Sequence, residues 1–384
     1  MKKDRIIYAL TIILSALYIF VGNKSANANR IDYTLSNNIG TPMTVKVTAV
    51  IDEHYEDVVY EGFETDDEIV LFEAKIRSGY RKGEVVTAIQ QIDSMYAIRQ
   101  KNVEPGDKVI LYKNQNANVE NVRYMFAEYH RIDFIAILWI VFLVLLLVLG
   151  RRNGLNTLVS LVFTIASIFF VFIPAVLNGG NIYSWSISTC IYIILMTLLI
   201  ISGFSKKSLA AMIGCSSGVL VAGVIAEMAN RICQLTGLTT EDSMYLLFLN
   251  NENPIDLRAI IFAAIILGAV GAIMDVSMSL SSSLAEMKEQ VGNMTSAQIT
   301  KSGMVVGRDI MGTMANTLIL AYIGSSLSVT LLLAAYNSST PLLLFNSEMI
   351  MVELLQAVAG SLGILLTIPL TSLVCGILYR NDEK

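Results

Sequence analysis

The chain has 384 residues, 54% of them hydrophobic and only 15% charged, with a mean hydropathy of +0.60. Soluble domains carry about 25% charged residues, so the composition excludes an ordinary soluble protein and indicates an integral membrane protein. The net charge of −5 falls entirely between Arg30 and Arg131, where 17 acidic residues meet 12 basic ones. No basic stripe is left over for a nucleic acid.

Histidines occur only at 54 and 130, and the four cysteines (Cys190, Cys215, Cys233, Cys375) show no CxxC spacing. A histidine metal site, a Ser-His triad and a thiol redox pair are therefore not expected. No catalytic, cofactor-binding or metal-ligating residue is assigned, and no enzymatic activity is expected.

From the N-terminus, MKKDR precedes an apolar run from Ile6 to Val21 and then GNKSANAN. A basic start, a short apolar core and Ala26-x-Ala28 fit a secretory signal cleaved after Ala28. An uncleaved anchor helix also fits, since the run is just long enough to span, and it is the preferred reading for residues 1–29. Residues 30–130 read as a small β-rich domain outside the membrane. Thr44–Asp52, Ile69–Ile76, Gly83–Ile92 and Asp107–Asn114 are β-branched, partly alternating runs. Turn signals at Arg77-Ser78-Gly79, Arg81-Lys82-Gly83 and Pro105-Gly106-Asp107 separate them. A compact barrel or sandwich is expected. The acidic run from Asp52-Glu53 to Asp66-Asp67-Glu68 reads as a solvated loop, with cation binding as the alternative.

Residues 131–384 form a helical membrane domain of seven further apolar spans, near 132–150, 155–177, 183–203, 208–229, 257–280, 309–336 and 349–379, making about eight in all. Alternate connections hold Lys2, Lys3, Arg5, Arg151, Arg152, Lys206, Lys207, Lys288, Lys301, Arg308, Arg380 and Lys384, whereas the opposite short loops hold only Arg231 and Arg258. By the positive-inside rule both termini are cytoplasmic and the β-rich domain is extracytoplasmic. Thr239-Thr240-Glu241-Asp242 before MYLLFL reads as a capped interfacial helix ended at Asn253-Pro254. Residues 284–302 read as a helical connection along the membrane surface, and Pro369 as a kink in the last span.

Charged groups at membrane depth cost about 2.5–3.5 kcal/mol each on insertion scales, which singles out the stretch from Gly268 to Asn316. Asp275 falls toward the cytoplasmic side of span six, and Arg308 with Asp309 opens span seven at a similar level. Asp309, Thr313 and Asn316 follow i, i+4, i+7 and share one helix face. Two readings stay open. In one, Asp275 and Asp309 carry a proton or cation past Arg308, Thr313, Asn316 and the serines between 277 and 283. In the other, Arg308 pairs with Asp275 and locks two helices together. Glu227 and Glu353, at the outer ends of their spans, are weaker candidates for the same path. Gly214, Gly218 and Ala222, Gly268 and Ala272, and Gly303 and Gly307 recur every fourth residue, the spacing that lets helices approach closely. There is no GxxxxGK[ST] loop for ATP-driven work, no evident inverted repeat, and no YD or GxGD of an aspartyl membrane protease.

GAVGAIMDVSMSLSSSLAEM, GRDIMGTMANTLILAYIG, Arg152-Asn153-Gly154-Leu155 and VFIPAVLNGGN resemble the YibE/F family of bacterial multispanning membrane proteins over about Phe134 to Tyr379. The extra first helix and outer domain resemble the longer of the family's two types. That resemblance implies a plasma-membrane protein of a Gram-positive bacterium, assembled as an oligomer with the shorter type. It carries over no mechanism. The expected function is a transporter or permease for a small solute or ion, and the alternative is a non-transporting scaffold whose outer domain binds a partner.

Overall fold

Alternating apolar and polar residues make strands of the segment after the first helix, and continuous apolar stretches make helices of the rest. The computed structural model describes residues 2–28, 42–60, 63–92, 100–113, 122–249, 254–336, 342 and 346–380. The chain divides into two units, Asp32–Leu145 on the one hand and Met1–Ile31 with Leu146–Lys384 on the other. Asn253 and Lys384, which figure in the sequence reading, lie outside the described residues.

In the first unit β1 (Met43–Tyr60), β2 (Phe63–Ile76), β3 (Val85–Ile92), β4 (Lys108–Lys113) and β5 (Tyr124–Tyr129) close into a barrel in the order β1-β2-β3-β5-β4. All neighbours are antiparallel except β3 and β5, which run parallel. Val45, Val47, Val70, Phe72, Ala74 and Leu111 fill the interior. The turn at Pro105-Gly106-Asp107 takes shape because Gly106 adopts φ 106°, a conformation that a Cβ penalises. Gln90, fully buried, is satisfied by the 100–103 segment: its Nε2 donates to the Lys101 carbonyl (2.9 Å) and its Oε1 accepts from Val103 N–H (2.8 Å).

The acidic run is not a loop. It forms the far half of a long hairpin, where Glu56 faces Asp67 and Tyr55 faces Glu68 across the strands. Like charges directly opposite one another are destabilising. Asp67 escapes this by turning inward, fully buried, to accept from Gln91 Nε2 at 2.9 Å.

The helices are α1 (Lys2–Ala26), α2 (Ile132–Ser167), a π turn at Ile168–Phe172, α3 (Ile173–Leu177), α4 (Ile182–Ser202), α5 (Lys206–Ile232), the short α6 (Glu241–Phe248), α7 (Leu257–Val291), α8 (Ser296–Ser325), α9 (Leu327–Tyr336) and α10 (Glu348–Leu378). Among the described residues six stretches are long and apolar enough to cross a membrane: Ile6–Ala26, Ile132–Leu177, Ile182–Ser202, Lys206–Ile232, Leu257–Val291 and Glu348–Leu378. The count differs from eight for two physical reasons. Ile132–Leu177 runs 46 residues without an intervening loop, about 69 Å of helix against a hydrocarbon core of about 30 Å. It is broken at Arg151 (φ 47°, ψ −121°), and there the chain turns so sharply that a Cβ on Gly154 would lie 2.2 Å from the Leu146 carbonyl oxygen. The stretch corresponding to span seven is divided at Ser326 into α8, diluted by Lys301, Arg308, Asp309 and Asn316, and the short α9.

Two long helices form the centre of the second unit, α7 touching α4, α5, α8 and α10. α10 packs against α5, α7 and α8, and small residues make the approach possible. Cβ atoms on Gly214 and Gly218 of α5 would lie 2.2 Å from Thr371 Oγ1 and 1.8 Å from Thr367 Oγ1; on Gly303 and Gly307 of α8 they would meet Ser372 and Ile368. The regularly spaced glycines of α5 and α8 thus face one helix from two sides. α1 packs on the π turn, α3 and α4: the Tyr18 and Tyr192 rings stack at 3.9 Å, Asn23 Nδ2 donates to the Phe170 carbonyl (2.6 Å) and Asn178 Nδ2 to the Ala26 carbonyl (2.8 Å).

Candidate functional site

α7 and α8 are joined by four residues, 292–295, and each begins with a cap that fixes its first turn. Asp256 Oδ1 accepts from the N–H groups of Arg258 and Ala259. Thr295 and Gln298 cap one another reciprocally, side chain to backbone, across the start of α8. So short a connection makes the helices antiparallel neighbours. Asp275 lies about 24 Å along α7 from the turn and Asp309 about 20 Å along α8, so the two carboxylates stand at comparable heights.

Both point outward from the bundle. Between Ala259 and Leu284 of α7 the exposed positions are Ala264, Gly268, Gly271, Asp275, Ser279 and Ser283, each three or four residues after the last. Along α8 they include Arg308, Asp309, Gly312, Thr313, Asn316 and Thr317. Cβ atoms on Gly271 and Gly312 would meet nothing within 4 Å. The result is a small, polar outer surface on helices that also expose apolar residues, such as Ile319 and Leu320. Among the described residues no ion pair or hydrogen bond joins Arg308 to Asp275 or Asp309, so the helix-locking pair is not formed. Thr313 Oγ1 donates to the Ile310 carbonyl (2.9 Å) and Thr317 Oγ1 to the Thr313 carbonyl (2.8 Å), which satisfies both hydroxyls within α8.

The serine run divides by helix face. Ser279 and Ser283 stay on the Asp275 side, Ser283 Oγ donating to the Ser279 carbonyl at 2.9 Å. Ser277 and Ser281 are fully buried: Thr371 Oγ1 of α10 donates to Ser277 Oγ (3.3 Å), and Ser281 Oγ donates to the Lys207 carbonyl of α5 (2.7 Å). Ser277 and Ser281 are thus interhelical fastening, and of the run only Ser279 and Ser283 stand on the Asp275 face.

The two outer carboxylates lie elsewhere. Glu227 Oε1 accepts from Arg231 Nε at 2.6 Å, its Oε2 is buried with no hydrogen-bond partner among the described residues, and it borders a cavity of about 430 Å³ with Tyr183 and Phe262. Glu353 is half-buried near the start of α10. Nothing brings either to Asp275 or Asp309. Sequence reasoning passed over Glu348, whose Oε1 accepts from Thr236 and Gly237 N–H (2.5 Å each) and whose Oε2 accepts from Thr236 Oγ1 (2.8 Å). It ties the first turn of α10 to the loop after α5. An acid in a first helical turn is ordinary, and no local signal announces partners 111 residues away. Among the described residues no group of three or more His, Cys, Asp or Glu could hold a metal ion.

No curated protein and no solved structure matches the chain. The family described as YibE/F-like protein matches residues 138–381, which include the π turn, α7, α8 and α10. The chain belongs to the YibE/F family.

Proposed function

We infer that this is a permease-like membrane protein that moves a proton or a small cation along the outer face of α7 and α8. One observation carries the reading: Asp275, Arg308, Asp309 and Asn316 stand on a surface with open space around Gly271 and Gly312. Lipid tails would penalise such a surface by several kcal/mol; water or a second protein would not. Asp275 and Asp309 are the carriers, Arg308 sets their charge balance, and Thr313 and Asn316 line the route. Glu227 and Glu353 serve at most as outer relay groups. No enzymatic step and no cofactor is assigned.

In this reading α8 with α9 is a span, and the break at Arg151 divides the 46-residue stretch into two, which gives eight. The distribution of lysine and arginine then sets both termini in the cytoplasm of a bacterial cell and the barrel outside the plasma membrane. The occupant of the polar face is an oligomeric partner, the shorter family type, which would close the path. That the face looks out of the bundle rather than into it also favours a second reading, an assembly scaffold that uses the same surface only for docking. Proton and cation flux in sealed proteoliposomes, with and without the shorter partner, separates the two. Permease action requires flux that Asp275→Asn abolishes while the protein still inserts and accumulates. Background flux in every preparation would sink it in favour of the scaffold.

A further inference from the structure

At the end of the bundle where α5 starts and α7 and α10 finish lies a cavity of about 560 Å³, bordered by Lys206, Lys207, Lys288, Arg380, Glu286 and Glu289. Four cations from three elements converge there against two carboxylates. Among the described residues none of the four forms an ion pair, although both glutamates border the same space. Glu286 is instead occupied on its own helix, where Gln290 Nε2 donates to it at 3.2 Å.

The cavity has a rigid frame. Ser281 Oγ donates to the Lys207 carbonyl (2.7 Å). With that proton committed, the Tyr379 hydroxyl donates to Ser281 Oγ (2.6 Å); Ser281 is fully buried and Tyr379 nearly so. These two bonds pin the first turn of α5 to α7 and α10. Ser205 and Ser208 cap that turn reciprocally, which engages the N–H of Ser208 and leaves those of Lys206 and Lys207 with no acceptor among the described residues. Unbonded N–H groups and the helix dipole favour negative charge at the same place. Phe204, 61% exposed, stands beside the lysines as an apolar neighbour.

We propose that this cavity binds a phosphate-bearing anion, with Lys206, Lys207 and Arg380 as its principal cations. The phosphate belongs either to an anionic phospholipid headgroup, with Phe204 against its acyl chains, or to a soluble phosphate. The proposal is independent of transport and of the α7–α8 face.

The test uses the full chain in a neutral detergent, following its thermal unfolding. Three additions are compared: phosphatidylglycerol, phosphatidylcholine and inorganic phosphate. A ligand that binds only the folded state raises Tm in proportion to its saturation, so the titration yields an affinity. Phosphatidylglycerol is expected to raise Tm and phosphatidylcholine to leave it unchanged. A matching rise with inorganic phosphate would assign the site to soluble phosphate, and its absence to lipid. Lys206→Gln and Arg380→Gln, both at exposed positions, are each expected to weaken binding about fivefold. Lys301→Gln, a cation of α8 outside the cavity, should leave it intact. No rise with phosphatidylglycerol or inorganic phosphate, an equal rise with phosphatidylcholine, an undiminished affinity in both cavity variants, or an equal loss in Lys301→Gln would overturn the proposal.

Discussion

Two glycines of this bundle are expected to answer the same substitution with opposite signs. At Gly218 an added methyl would sit 1.8 Å from Thr367 Oγ1, 3.0 Å from its Cβ and 3.2 Å from Ile273 Cγ2. Thr367 is fully buried, and its hydroxyl donates to the Gly363 carbonyl at 2.7 Å. Clearing the methyl therefore means giving up that bond, about 0.5–1.5 kcal/mol, or prying α5 from α10. Overpacking of this kind costs about 1–3 kcal/mol, of which a helix-propensity gain of up to about 1 kcal/mol is returned. Net of that gain, Gly218→Ala should destabilise, by up to about 2 kcal/mol. Gly271→Ala meets nothing within 4 Å, keeps the propensity gain and should stabilise by up to about 1 kcal/mol.

For a bundle of this size 1 kcal/mol moves Tm by about 2–4 °C; the propensity gain is common to both variants, so the clash cost of about 1–3 kcal/mol should set them about 2–12 °C apart. Buried thiols supply the assay. Cys190, Cys215 and Cys375 are buried and only Cys233 is exposed, so in a Cys233→Ser background a thiol-reactive dye reports unfolding directly. Removing the clashing oxygen with Thr367→Ala should recover part of the loss in Gly218→Ala, a coupling that a double-mutant cycle measures. Equal Tm shifts for the two glycine variants, or a Gly218→Ala protein as stable as the parent, would refute the close-approach account of the α5–α10 seam.

Glu348→Ala removes the acceptor for Thr236 and Gly237 N–H; with the site partly open to water, it should cost about 1–2 kcal/mol and speed proteolysis between residues 234 and 254. An unchanged cleavage rate would show that the clamp is not what holds this loop. In the barrel, Tyr129 donates to the Lys101 carbonyl at 2.6 Å, and burial raises its pKa above the ordinary tyrosine value. Its stabilising contribution is complete below about pH 10 and is lost as pH rises through the higher folded-state value. Tyr129→Phe should therefore flatten the alkaline stability loss of the barrel, measured by circular dichroism between about pH 9 and 12, and an unaltered pH profile would contradict this.

Much of the molecule was legible because its signals are local. Four of the five strands and the turns between them follow from alternation and Gly-containing turns. β5 was missed: YMFAEY is short, half of its residues are only partly buried, and its parallel pairing with β3 is a property of barrel closure. The spacing of Gly214 with Gly218, and of Gly303 with Gly307, announced close packing but not its partner. The expected surface segment at 284–302 proved to be the two ends of α7 and α8 around a four-residue turn, because helix-forming residues run unbroken up to Val291. The serine run looked uniform in sequence, yet a period of 3.6 sends Ser277 and Ser281 inward while Ser279 and Ser283 remain outside.

The sequence by itself determined that this chain enters a membrane, that a small acidic β domain interrupts it, and that Asp275 and the Arg308-Asp309 pair are charges placed where apolar residues are the rule. These are consequences of composition and period, which need no knowledge of what packs on what. Only the tertiary structure decided that the glycines of α5 and α8 both pack on α10, that Glu348 clamps a loop 111 residues away, that no ion pair joins Arg308 to Asp275 among the described residues, and that the α7–α8 carboxylates look outward. Each of these depends on which face of a helix meets a neighbour distant in the chain. In a membrane that choice is made by close packing and hydrogen bonding rather than by hydrophobic burial, so it leaves only a faint trace in the hydropathy of the sequence.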